Sequence, residues 1–122
     1  MKFVKIEVFV PREDAKKLMK GINEGGFLEE ENYDFCYSET KVIGHFRPIT
    51  GANPYIGTVG SIEDVEENKI EFRIKKDDLD EVLKIIKRIH PYEVPVINVI
   101  GLLWKFFLIQ KFIKKLTCIA SE

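Results

Sequence analysis

Phe3-Val4-Lys5-Ile6-Glu7-Val8-Phe9-Val10, followed at once by Pro11-Arg12-Glu13-Asp14-Ala15, changes its periodicity within a few residues. In the first part Val4, Ile6, Val8 and Val10 fall on one side of an extended chain, with Lys5 and Glu7 on the other, the mark of a strand with one buried face. Pro11 cannot donate to a ladder and suits the first position of a helix, where Glu13 and Asp14 meet the positive end of the dipole. Ala15, Leu18, Met19 and Ile22 then recur at helical spacing, and Gly25-Gly26 supplies a left-handed stop after about residue 24. A strand hands over to a helix whose apolar stripe must lie on the sheet.

The same change recurs further on. Over residues 65–75, Ile70, Phe72 and Ile74 alternate with Glu71, Arg73 and Lys75, again a half-buried strand. Asp77 is placed to cap a second helix with Asp78, Asp80 and Glu81 in its first turn. Leu79, Val82, Leu83, Ile86 and Ile89 form its stripe, Lys84, Lys87 and Arg88 suit its C-terminal half, and His90-Pro91 ends it. Between the two units the run Glu29-Glu30-Glu31 reads as a solvated connection. A strand is expected over 34–40, where Phe35 and Tyr37 alternate with Cys36 and Ser38, followed by an extended piece at 42–46. A last strand is expected over 94–100. The order βαββαβ predicts an α+β ferredoxin-like plait, an antiparallel sheet with two helices on one face.

A chain of 122 residues suits one domain with a core that needs no disulfide or metal. It is 45% hydrophobic and 32% charged with net charge −1, and the missing basic excess argues against nucleic acid as a partner. Two cysteines make no disulfide framework and no secretory signal precedes the first strand, so cytoplasmic residence is the expectation. Cys36 reads as a small buried hydrophobe, while Cys118 has no assigned place. Charge is uneven: residues 101–122 carry Lys105, Lys111, Lys114 and Lys115 against Glu122, a balance of +3 that leaves −4 for the first hundred.

That last segment is expected to be an amphipathic helical extension of a core domain at 1–100. Phe106, Ile109, Phe112, Ile113 and Leu116 share a face opposite Gln110, Lys111, Lys114 and Lys115, with Trp104 and Phe107 out of place on the polar side and Lys105 on the apolar one. Residues 102–116 are too short and too interrupted for a membrane span, which needs about 20 largely apolar residues. Lying on an anionic membrane surface is one role for them. Covering the open face of the sheet or a neighbouring subunit is the favoured one.

The longest irregular stretch, residues 45–60, is His45-Phe46-Arg47-Pro48-Ile49-Thr50-Gly51-Ala52-Asn53-Pro54-Tyr55-Ile56-Gly57-Thr58-Val59-Gly60. Gly51, Gly57 and Gly60 permit positive φ, Pro48 and Pro54 fix φ, and Asn53 readily bonds its own backbone, so the stretch is a series of defined turns. Phe46, Ile49, Tyr55 and Ile56 require something to pack against, unlike the side chains of a flexible linker.

This stretch, with Asn32-Tyr33-Asp34 before it and His90-Pro91-Tyr92-Glu93-Val94-Pro95 after it, resembles the signature of the YqfO-type domain of the Ngg-interacting-factor-like proteins, over roughly residues 1–100. The His90–Pro95 portion is also similar to the CutA divalent-ion tolerance proteins, which share the plait and, like the PII signal proteins, assemble as trimers. The resemblance implies a stand-alone regulatory or assembly module, a homo-oligomer with a trimer favoured. It does not imply hydrolysis, because the metal ligands of the larger proteins lie in their other domain. It places Arg47, Gly51, Asn53, Pro54, Tyr55, Gly57, Tyr92 and Glu93 at an interface or small-ligand pocket.

The residues themselves support little catalysis. Ser38, Ser61 and Ser121 stand in no nucleophile motif, and neither histidine has a partner carboxylate identifiable from sequence. His90 is better placed to cap the helix end than to bind a metal, and His45 and His90 are too few to rebuild a two-metal site. A divalent-metal sensor using His90, Glu93 and either His45 or Cys36 is the alternative. Glu93 is expected to accept a hydrogen bond from Arg47 or from a loop amide, which would tie the two motifs together. Arg47, set among glycines, is otherwise suited to an anion, and an enzyme acting on small anions through it is a further alternative. Neither phosphate-loop pattern is present.

Overall fold

A computed structural model describes residues 2–103. The elements follow in the expected order: β1 (Phe3–Pro11), α1 (Arg12–Glu24), β2 (Ser38–Phe46), β3 (Glu63–Lys75), a single 3₁₀ turn (Lys76–Asp78), α2 (Leu79–Ile89) and β4 (Ile97–Leu102). The sheet order is β2-β3-β1-β4, with every neighbouring pair antiparallel. This is the ferredoxin-like plait.

One face of the sheet holds the core. Val4, Ile6, Val8 and Val10 of β1 and Ile70, Phe72 and Ile74 of β3 are buried with Ala15, Leu18, Met19 and Ile22 of α1 and Val82 and Ile86 of α2. These are the apolar positions that the two periodicities mark. The opposite face is polar in the middle. Lys5 and Lys69 each bridge Glu7 and Glu71, at 3.3–3.5 Å, in a closed four-charge network. Beside it the Arg73 guanidinium lies 4.8 Å from the centre of the Phe3 ring and donates to both oxygens of Glu30, at 3.1 and 2.8 Å. Glu30 is therefore an ion-pair partner, where the acidic run read as solvated throughout.

Several boundaries move. Pro11 ends β1 and lies just before α1 instead of opening it, and Asp77 sits in the 3₁₀ turn with no capping bond from its side chain. Gly26, at φ 80°, supplies the left-handed stop of α1. The strand expected from residue 34 begins at Ser38 and continues unbroken through the extended piece to Phe46. Asn23 is the physical reason: its side-chain oxygen accepts from the Phe35 amide at 2.8 Å and its nitrogen donates to Asp34 at 3.2 Å. With Phe35 at φ 51°, this segment is bonded to α1 and cannot extend the ladder. Cys36 is half-buried, short of the buried position expected. β4 starts three residues later than expected and runs two residues past 100, to Leu102. The helix expected at 102–116 and Cys118 lie outside the described residues, apart from Leu102 and Leu103, of which Leu102 closes β4.

Candidate functional site

The loop at 45–60 is built from turns that need its glycines. The Ala52 amide donates to the Ile49 carbonyl at 3.0 Å with Gly51 at φ 98°, and the Ser61 amide donates to Thr58 at 3.1 Å with Gly60 at φ 89°. In both, the third residue takes the left-handed conformation that only glycine adopts without strain. The Gly60 amide donates to the Pro48 carbonyl at 2.8 Å, closing the base of the loop over buried Pro48.

Residues 90–96 rise to meet it. Glu93 accepts from the Asn53 amide at 2.8 Å, so the two sequence motifs are clamped through a loop amide and not through Arg47. Arg47 is exposed and forms no hydrogen bond or ion pair among the described residues. Tyr92 stands between the motifs. Its ring meets those of Phe46, Tyr55 and His90 at centroid distances of 6.0, 6.4 and 5.0 Å, and its hydroxyl donates to Glu67 of β3 at 2.9 Å. Burial, with the Glu67 carboxylate beside it, raises the Tyr92 pKa and keeps that proton in place.

His90 is buried with both ring nitrogens committed. Nδ1 accepts from the Tyr92 amide at 3.1 Å, which leaves Nε2 to donate to the Phe9 carbonyl of β1 at 2.7 Å. Its backbone amide caps the Ile86 carbonyl at 2.7 Å, but its ring bonds no carbonyl of α2, contrary to the expectation from sequence; the ring fastens the chain after α2 to the central strand. Burial holds its pKa below the usual value, outweighing the pull of Phe9, Glu67 and Asp14. His45 is exposed, with Nδ1 2.7 Å from Asp64. Among the described residues no group of three or more His, Cys, Asp or Glu is arranged to hold a metal ion.

Between the loop, residues 92–96 and the end of the sheet lies a cavity of about 460 Å³, within the range of small-molecule sites. It is lined by Phe9, Gly44 and Glu67 of the sheet, by Phe46, Pro54 and Tyr55 at and beyond the end of β2, and by Tyr92, Val94 and Val96, with Arg47 and Glu93 among the lining residues as well. Of the residues expected at a site, Arg47, Pro54, Tyr55, Tyr92 and Glu93 line it, together with His45. Gly51, Asn53 and Gly57 shape the loop above. Gly44 and Glu67 were not among the expected residues. Glu67 is one carboxylate of a polar-faced strand, and only its 6% exposure distinguishes it.

The two missed residues depend on each other. A Cβ on Gly44 would run into the Glu67 carboxylate. Gly44→Ala is expected to cost about 1–3 kcal/mol by overpacking. In a Glu67→Ala background the added methyl finds space and should cost much less. Urea unfolding of both single variants and the double variant measures the coupling, and strictly additive losses would refute the contact.

No protein-family model matches the chain. It is 39% identical over 98 residues to a protein of Staphylococcus epidermidis named GTP cyclohydrolase 1 type 2 homolog, covering 80% of this chain and 27% of the relative. The chain thus spans about a quarter of the length of the curated relatives it matches. Among solved structures, a Bacillus cereus protein related to NIF3 superposes with TM-score 0.71 and 30% identity over 84% of this chain and 26% of that one. CutA from Synechococcus elongatus superposes with TM-score 0.62 and 20% identity over 83% and 77% of the two chains, a likeness of fold. A PII/CutA-like plait, homologous to one portion of NIF3-related proteins, is established by these matches. Among the described residues no helix is long and apolar enough to cross a membrane.

Proposed function

We propose that this chain is a non-catalytic oligomeric module of the PII/CutA-like class, regulatory or assembly-forming, in which residues 45–60 roof a small-ligand pocket at or beside a subunit interface. The observation that carries this reading is the cavity itself, enclosed by the stretches 45–60 and 90–95 and clamped by the Asn53–Glu93 hydrogen bond. Arg47, Gly51, Asn53, Pro54, Tyr55, Gly57, Tyr92 and Glu93 are its frame. The core domain is the plait through β4, and the rest of the chain is an extension available to cover it or a neighbour. Assembly is supported by β4, an edge strand whose Val99 and Ile100 stay exposed beside Val94 and Val96. The name of the staphylococcal relatives belongs to proteins of which the matched portion is 27%, and their activity forms no part of this reading.

Native mass of the full chain at micromolar concentration, with bound metal and small molecules read from the same sample, tests the proposal. A trimer is expected. Bound zinc or copper is not, since His90 offers no free nitrogen and His45 sits on a single carboxylate. A monomer that no small molecule stabilises thermally would overturn the reading. Stoichiometric metal that disappears in His90→Ala would replace it with a metal sensor.

A further inference from the structure

We infer that the cavity takes a small organic cation, an amine or guanidinium on an apolar or aromatic body, with Glu67 as the anionic anchor. The inference rests on the pocket reading above and adds the chemistry of the ligand. Glu67 is more than nine-tenths buried and lines the cavity. A buried carboxylate is costly unless it is paired and hydrogen-bonded. Among the described residues it receives one side-chain hydrogen bond, from the Tyr92 hydroxyl, and has no cation within ion-pair distance.

The nearest candidate cation is already engaged. Arg12 donates to the backbone carbonyls of Glu67 and Val42, at 3.3 and 3.1 Å, and pairs with Glu66 at 3.3 Å. Gly44 leaves the space into which the Glu67 carboxylate projects. Phe9, Phe46, Tyr55 and Tyr92 line the same cavity, and Tyr92 touches the carboxylate through its hydroxyl. Aromatic faces attract cations through the ring quadrupole, and the effect grows as the site is desolvated. One carboxylate among four rings selects a positive group with an apolar body against its neutral or anionic counterparts. Arg47 also lines the cavity, but it is exposed and makes no ion pair with Glu67.

Three compounds sharing one body provide the test: tyramine, 2-(4-hydroxyphenyl)ethanol and 3-(4-hydroxyphenyl)propionate, titrated into the full-length protein and followed by calorimetry and amide chemical shifts. Tyramine is expected to bind at least about tenfold more tightly than the alcohol, with the propionate weakest. Glu67→Gln, which still accepts from Tyr92, should erase that preference while leaving residual binding of the alcohol. Tyr92→Phe frees the carboxylate of its donor and should preserve or enlarge the preference. This second variant decides the matter where Glu67→Gln fails to fold. Binding of the alcohol or propionate as tight as that of tyramine leaves the pocket standing and overturns the cation assignment, as does a preference unchanged in Glu67→Gln or lost in Tyr92→Phe. Displacement of bound tyramine on self-association would identify a side chain of a second copy as the natural cation, in place of a free molecule. Absence of binding by all three compounds at millimolar concentration overturns the assignment, and a monomeric native mass alongside it overturns the proposed function too.

Discussion

Tyr92→Ala is expected to lower the stability of the domain by about 3 kcal/mol, near the low end of aromatic-to-alanine losses because the ring is half-buried. Three ring contacts disappear together, to Phe46, Tyr55 and His90. The buried Glu67 carboxylate also loses its side-chain donor. Tyr92→Phe separates the two contributions: it keeps the rings in place and should cost about 1.5 kcal/mol, the low end for a hydrogen bond to a charged group. Urea unfolding of the two variants gives both numbers. If phenylalanine costs as much as alanine, ring packing contributes nothing measurable and the wall of the cavity is held some other way. Amide exchange at Asn53 and Tyr55 should accelerate in the alanine variant alone, because the ring of Tyr92 stands under the loop.

His90→Ala is expected to cost about 2–3 kcal/mol, since the Phe9 carbonyl and the Tyr92 amide lose their partner inside the protein. Its pH signature is more specific than its size. The folded state holds the imidazole neutral, with its pKa depressed by burial, while the unfolded chain binds a proton near the ordinary value of 6.5. Below that value the unfolded state therefore binds more protons than the folded one. Stability contributed by His90 is fully present above about pH 6.5 and is lost as pH falls through the depressed folded value. Glu67 and Asp14, the carboxylates that act on the ring, favour the charged form and moderate the effect without reversing it. Denaturation midpoints measured from about pH 7 to about pH 5 should fall in the parent protein and flatten in His90→Ala. Equal slopes in the two proteins would mean that His90 accepts a proton without breaking its bonds.

The same contacts explain which readings of the chain held. Helix and strand identities were legible because they depend on neighbours: Val4, Ile6, Val8 and Val10 need only the pleat to share a face, and Leu18, Met19 and Ile22 need only the helical turn. Where a distant group competes for the backbone, the reading slipped. Asn23 reaches across eleven and twelve residues to hold Asp34 and Phe35, and β2 starts late in consequence. The bond from Glu93 to a loop amide was foreseeable as one of two partners, because an isolated carboxylate between two motifs needs a donor, but the choice of Asn53 over Arg47 depends on the path of the loop.

Glu67 marks the division most clearly. Along β3 the residues Glu63, Glu67 and Glu71 fall on the same polar face and are chemically identical, so the alternation that marks a half-buried strand over 65–75 gives no reason to single out Glu67. The sequence by itself determined the plait, the face that carries the core and the stretch of turns at 45–60. Only the tertiary structure decided that one of those carboxylates is buried. Residues 92–96 and the loop fold over that end of the sheet, a tyrosine twenty-five residues downstream donates to it, and a glycine on the adjacent strand gives it room. Desolvation depends on what lies above a side chain, and no local period in the sequence encodes that.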